Sequence, residues 1–526
     1  MRALRFARSS DAPGLRVPTA ICAVLVAVCA VLVAAPAVLA AAPVPAPSPA
    51  HAKGTVAAGT AIAVRYHDAA ARLIGAALAS DHAYLRLSQL CDGIGNRLSG
   101  SPQLERAVDW AQRAMTEDGL ERVRRQAAMV PHWVRGAEHA EIVEPGPHAI
   151  AMLGLGRSVG TPPGGITADV IVVNGFAALD SLPADQVRGR IVLYDVPFRT
   201  YGETVRYRGS GANRAAARGA VAALVRSVGP VSLRTPHTGN MNAYVDSIPR
   251  IPAAAVTIED AARIHRLTDR GERVRVHLEM AAQMLPDAMS YNVIGELRGR
   301  EKPDEVVVVG GHLDSWDVGS GAQDDGCGVA ISLEAVRLMK ALGLRPRRTV
   351  RVVFWTNEEN GTRGAQAYAD SLGPAIEKHV AAIETDGGVE RLAGFDVGVH
   401  QLGSDSADVA RETPAIARMR EIAPLFSGLG GESVNGGGGG ADIGPLMRKG
   451  VPGVAHRTTM EHYFDWHHTQ ADMLDKIDPI EMRKNVAALA VMTYVLAEMP
   501  ETLAPSLPPG VQAKALSRAA GSRGGR

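Results

Sequence analysis

Histidines and carboxylates able to bind a metal or move a proton gather at five places in the second half of the chain. "GGHLDSWD" carries His312 and Asp314, and "GAQDDG" carries Asp324 and Asp325. "TNEENG" carries Glu358 and Glu359, "ETDGG" carries Asp386, and "HHTQAD" carries His467 and His468. Two imidazoles with three or four carboxylates and no thiolate suit zinc, with cobalt or manganese as substitutes. The carboxylates exceed what one catalytic zinc with an open position can use. Two ions roughly 3.5–4 Å apart, sharing one bridging carboxylate, would use them all. Adjacent glutamates at a strand end raise each other's pKa. The pair makes chemical sense if one is a metal ligand and its neighbour is the general base that takes a proton from a metal-activated water.

The elements that must position these residues alternate between strand and helix. "NVIGELRG", "DEVVVVGGHLD", "RRTVRVVFWT" and "HVAAIETD" read as strands. "DDGCGVAISLEAVRLMKALG", "ENGTRGAQAYADSLG" and the closing "DPIEMRKNVAALAVMTYVLAEM" read as helices. Such alternation predicts an α/β domain with a mixed, mostly parallel central sheet flanked by helices. In an open sheet of that kind ligands bind outside the carboxyl ends of the strands. The five acidic and histidine positions therefore converge on one sheet edge. From Asp68 to about Leu120 the pattern is helical, including "QLERAVDWAQRAMTEDGL". Between 151 and 285 short β-branched runs ("ADVIVVNG", "GRIVLYDVP", "AVAALVRS", "IPAAAVTI") predict a compact β-rich insert with one helix-like stretch, "GANRAAARGA". The α/β body is thus expected to be discontinuous, 68–150 and 286–502, with 503–526 a disordered tail rich in Pro, Gly, Ser and Arg.

Composition agrees with a globular chain of two or three domains: 526 residues, 46% hydrophobic and 21% charged, with a net charge of +1. No Lys/Arg block in the body of the chain suggests a nucleic-acid partner. Arg2, Arg5, Arg8 and Arg16 precede an uncharged run from Val17 to Ala42, and "AVLAAAP" offers small residues for cleavage after about Ala40. Residues 1–40 read as a secretory signal and 41–67 as a flexible lead-in. A secreted or periplasmic location follows, with no stable membrane insertion after cleavage; the rival is a retained anchor, since the run is long enough to span a bilayer. Cys91 and Cys327 remain after signal removal, too few for a disulfide framework.

"GGHLDSWDVGSGAQDDG", "TNEENG", "ETDGG" and "HHTQADMLDKIDP", together with "GNRLSGSP…AVDWA", resemble the di-zinc exopeptidase family of bacterial leucyl aminopeptidases and glutamate carboxypeptidases. The likeness covers nearly all of the mature chain, and the middle insert resembles a protease-associated domain. It implies two zinc ions per chain. Asp324 would bridge them, His312 and Asp386 would complete one site, and Glu359 and His468 the other. Glu358 would be the general base acting on a zinc-bridging water, and Asp314 would orient His312 from behind. His468 is the ligand of the tandem pair because it stands before Thr469, with Asp472 following. His467 occupies a place that is often Tyr in relatives, where it helps stabilise the oxyanion. The resemblance further implies a short peptide substrate, dipeptides with a free N-terminus, and a homodimer.

Other readings carry less. Asp325 is a helix-start residue and Asp317 a turn residue. "VNGGGGGADIG" lacks the Lys and Ser/Thr of a phosphate loop; Asp442 within it is either a contact for a substrate amine or a helix cap. Trp316 and Trp355 flank the motifs, with core packing the default for both. His132, His237, His265 and His400 have no ligand-like context. A glutamate-type carboxypeptidase would want an arginine-lined pocket, for which Arg363 and Arg457 are the nearby arginines. A non-catalytic binding ectodomain would have lost ligand positions, and every one here is filled. A glutaminyl-cyclase-like acyltransferase would keep a single zinc.

Overall fold

The computed structural model describes residues 60–231, 233–399 and 406–505. The signal segment, most of the lead-in, His400 and the tail from 506 lie outside the described residues. The described residues form one compact unit.

The central sheet has eight strands in the spatial order Glu121–Val134, Gln283–Leu297, Arg348–Trp355, Lys302–His312, His379–Glu384, Gly453–Thr458, Leu392–Gly398, Ser433–Gly436. The four strands in the middle, 348–355, 302–312, 379–384 and 453–458, run parallel. In register, His312 lies beside Trp355 and Gly310 beside Glu384. Their carboxyl ends therefore stop at one level. Both faces of these strands are covered: Val307, Val309, Val350 and Val352 pack under one helical layer, and Val306, Val308, Val353 and Trp355 under the other. That double burial is why they read as unbroken β-branched runs.

Helices His82–Gly93, Cys327–Ala341 and Pro479–Glu498 contribute to the first layer. Ala61–Leu78 joins them, so the helical body reaches into the stretch 41–67 expected to be a lead-in. Thr60 accepts from the Ala63 N–H as its cap, and Ile62, Ala63, Tyr66, Ala70, Leu73 and Ala77 form its buried stripe.

A second eight-stranded sheet is drawn from residues 138–280. Its strands Ile166–Val173, Ile191–Tyr194, Ala222–Arg226 and Ala253–Val256 are parallel. Helices Tyr201–Ala217 and Ile258–Asp269 belong to the same stretch, so the segment expected to be β-rich carries substantial helix. The long antiparallel pair Glu121–Val134 and Gln283–Leu297 leads out to it and back.

Candidate metal centre

His312 ends its strand, Glu358 and Glu359 follow Trp355, and Asp386 follows Glu384 by two positions. Asp324 sits in the π-helical turn Ala322–Gly326 that opens the helix Cys327–Ala341. The loop after helix Tyr463–Trp466 brings His467 and His468 over the same edge. Potential ligand atoms cluster as His312, Asp324 and Glu359; as Asp324, His467 and His468; and as His312, Asp325 and Asp386, each set within 4.8 Å.

Asp324 belongs to the first two sets, and His312 to the first and third. Asp324 Oδ1 lies 3.1 Å from His312 Nε2, and Asp324 Oδ2 lies 3.2 Å from His468 Nε2. His312 Nε2 is also 3.6 Å from Asp386 Oδ1, and His468 Nε2 is 3.0 Å from Glu359 Oε2. Both imidazoles direct Nδ1 away, at carbonyl oxygens: Asp314 O for His312 at 3.0 Å and Thr238 O for His468 at 3.2 Å. Only an Nδ1–H satisfies a carbonyl, which leaves each Nε2 lone pair for a metal.

The donor set fits a pair of cations. Glu359 Oε1 and Asp386 Oδ1 are buried without a hydrogen-bond partner. Burial, with the Asp324 charge, pushes Glu359 up to about 7, and burial with the neighbouring Asp386 charge raises Glu358 well above the ordinary carboxylate range. Burial opposes charge on His468, yet the Glu359 and Asp324 carboxylates raise it to about 10. So many acidic oxygens in one dry space are satisfied together only by multivalent positive charge.

The loops that hold these ligands are themselves held through their backbones. The Asp314 carboxylate, 3.8 Å from His312 Nδ1, does not reach the imidazole; its oxygens accept instead from Glu358 N–H (3.0 Å) and Glu359 N–H (3.3 Å). Asp314 thus orients His312 through its carbonyl and uses its carboxylate to fix the paired-glutamate turn. Asp325 accepts from His312 N–H (3.0 Å) and Gly328 N–H (3.2 Å), tying the strand to the helix start. A Cβ at Gly311 would stand 2.2 Å from Asp325 Oδ2, so the "GG" before His312 lets that carboxylate approach. Asp317 instead takes a two-pronged salt bridge from Arg135.

Asp472, which the sequence places after His468 without showing its partners, and two groups without a ligand pattern complete the frame. Asp472 accepts from the N–H groups of Ala322 (3.0 Å), Gln323 (2.7 Å) and Asp324 (3.2 Å), and burial pushes its pKa up to about 7 against those donors. Arg97, fully buried, donates to the carbonyls of Leu313, Ser320 and Gly321. Glu384 accepts from Ile443 N–H (2.8 Å), pinning the glycine-rich loop. A Cβ at Gly440 would meet Glu384 Cδ at 2.2 Å. Their signal was present in "GNRLSG", "QAD" and "ETD", but as helpers of backbone they offer no ligand pattern.

His467 stacks on His468 with centroids 3.6 Å apart, and its Nδ1 has no partner. Burial, with the charge on His468, holds it well below the ordinary histidine range, so it is a neutral donor. His468 itself has φ +61°, a left-handed conformation costing a non-glycine residue roughly 1–2 kcal/mol, which its neighbours must hold in place. Asp442 is buried with neither carboxylate oxygen partnered, and burial with the charges of Glu384 and Glu358 raises it well above the ordinary range. It caps no helix. Trp316 packs 5.6 Å from the His468 ring and lines a small pocket with Asp324 and Glu359. Trp355 lies in the core, edge-on to Tyr368. Arg457 is engaged by Asp396 at 2.8 Å.

Comparison with known proteins follows the same lines. Residues 292–493 match the model of peptidase family M28. The chain is 43% identical to carboxypeptidase Q of Mus musculus over 441 residues, 83% of this chain and 91% of that protein. The crystal structure of a peptidase M28 precursor from Shewanella amazonensis is 35% identical, with TM-score 0.78, covering 85% of this chain and 99% of its own. A zinc aminopeptidase from Bacillus subtilis shares the fold at 21% identity and TM-score 0.58, over 80% of this chain and 96% of its own.

Proposed function

The chain belongs to peptidase family M28 and is a zinc-dependent metallopeptidase; we propose that it is an exported di-zinc exopeptidase that removes residues from dipeptides and short peptides with a free N-terminus. The observation that carries the two-ion reading is the Asp324 carboxylate, addressed through one oxygen by His312 and through the other by His468. His312 and Asp386 would hold one zinc with Asp324, and Glu359 and His468 the other.

The chemistry the metals supply when bound is polarisation of the scissile carbonyl and acidification of the attacking water. Glu358 takes the proton from that water as it attacks and returns it to the leaving amine. Its raised pKa supports both halves of that role, because a carboxylate in dry, acidic surroundings holds a proton readily. The neutral ring of His467 donates to the oxyanion as it forms. Asp442, with two unpartnered buried oxygens, receives the substrate's α-ammonium, which pairs its charge.

Carboxypeptidase action on the same centre is the second reading. The name of the curated relatives favours it, as does Arg157, which donates to Asn360 O beside the paired glutamates and feels the charge of Arg363. Export after cleavage near Ala40, a protease-associated role for 151–285 and homodimer formation rest on the sequence and the family likeness. Among the described residues no helix is long and apolar enough to cross a membrane.

The test is hydrolysis of free, N-acetylated and C-amidated dipeptides by the zinc-loaded protein, with Glu358→Gln alongside. Cleavage that needs the free N-terminus, tolerates the amide and disappears in the variant supports the aminopeptidase reading. Cleavage that needs the free carboxylate moves carboxypeptidase action to the front.

A further inference from the structure

His468 is gripped by a loop and a helix of the segment that carries the second sheet. Thr238, fully buried, donates its N–H to the His468 carbonyl at 2.9 Å and receives His468 Nδ1 on its own carbonyl at 3.2 Å. This reciprocal pair holds both the backbone and the ring of a residue in the left-handed region. Behind it stands Arg208, 5% exposed, from the helix Tyr201–Ala217. Its Nη1 donates to the same Thr238 carbonyl at 3.1 Å and lies 3.3 Å from His468 Nδ1, while Nη2 donates to the Tyr201 hydroxyl at 2.6 Å. Tyr201 in turn meets the His467 ring edge-on at 5.1 Å.

We propose that Arg208 is a positioning residue for the metal centre: it fixes the Thr238 carbonyl that presents His468 Nε2 to zinc, so the helix Tyr201–Ala217 and the Thr238 loop complete one of the two metal sites. The proposal rests on the reading that His468 is a zinc ligand. A guanidinium has donors only, so it cannot satisfy an Nδ1–H itself. Its part is to anchor the carbonyl that does. Groups standing behind a metal-binding histidine typically govern affinity by about ten- to hundredfold. Loosening Arg208 therefore acts on one zinc and leaves the other alone.

The test is stepwise zinc affinity, read by competition with a chromophoric chelator, for wild type, Arg208→Met, Arg208→Lys and His468→Ala. Two binding steps are expected in wild type, with one lost in His468→Ala. Arg208→Met should weaken that same step about ten- to hundredfold, and Arg208→Lys should recover part of it. The kcat should fall more than KM changes. Tyr201→Phe, which removes a single hydroxyl, should weaken the same step by a smaller factor and serves if Arg208→Met does not fold. Wild-type affinity in Arg208→Met or Tyr201→Phe, or equal weakening of both steps, overturns the proposal while the metal reading stands. Unchanged zinc uptake in His468→Ala overturns both.

Discussion

Two sheet edges in this molecule are built alike and behave differently. Each has four parallel strands with polar residues at their carboxyl ends. At the second sheet, Asp195 follows the strand Ile191–Tyr194, and both its oxygens are taken: Oδ1 by Arg226 at 3.0 Å and Oδ2 by His265 at 2.6 Å. At the first sheet, Glu359, Asp386 and Asp442 keep buried oxygens with no hydrogen-bond partner. Position in the fold is therefore not what distinguishes the active edge. The distinction is that one edge has neutralised its own charge and the other keeps buried acidic oxygens without hydrogen-bond partners.

Substitutions on the two edges should separate sharply. Glu358→Gln removes the base and keeps the shape, so kcat should fall by about 10²–10⁴-fold with zinc content unchanged. Asp195→Asn breaks a charge pair of comparable burial, yet kcat should stay within about twofold and the loss should appear in thermal melting, as expected of a site that serves only stability. An activity loss in Asp195→Asn rivalling that of Glu358→Gln would erase the comparison.

Asp472→Ala tests whether the active edge depends on its backbone supports. Three N–H groups around Asp324 lose their acceptor. Unmade buried hydrogen bonds cost about 1–3 kcal/mol each at most, so both Tm and zinc affinity should drop, the latter by at least about tenfold. Unchanged zinc affinity would mean that the π-helical turn holds its form alone.

How much of this was legible beforehand depended on how each residue acts. The candidate metal ligands stood out because imidazoles and carboxylates past apolar runs have few other reasons to be there. Asp472, Arg97 and Glu384 act on backbone amides and carbonyls, which any loop possesses, so their partners have no side-chain signature. The strand Glu121–Val134 begins "ERVRRQ" and is largely exposed over that stretch, so no alternation marks it. Leu392–Gly398 and Ser433–Gly436 are short and glycine-bearing, and the pairing that makes them strands comes from the neighbour Gly453–Thr458 and from each other. The β-rich reading of 151–285 found its four parallel strands and understated its helices; in Tyr201–Ala217 the buried apolar side chains are all alanine.

The smallest expected effect lies at the opposite end of the catalytic sheet. His379 begins its strand, and burial, helped by the Arg351 charge, lowers its pKa to about 4. The folded state prefers the neutral ring, so this contribution is complete above the unfolded pKa of about 6.5. It is lost as pH falls from there toward 4, because the unfolded chain binds the extra proton. His379→Gln should flatten the decline in Tm over that window, by on the order of 1–3 kcal/mol at its acid end. Parallel pH profiles for variant and wild type would count against a neutral buried His379.

The central claim is that Asp324 joins two zinc sites made from strand ends of one sheet. Its most direct test is the zinc content per chain of wild type and Asp324→Ala after equilibrium dialysis against buffered zinc. Two zincs in wild type, falling to none or nearly none in Asp324→Ala while Asp386→Ala keeps one, is the expected result. A single zinc in wild type, or two retained without Asp324, would contradict the account.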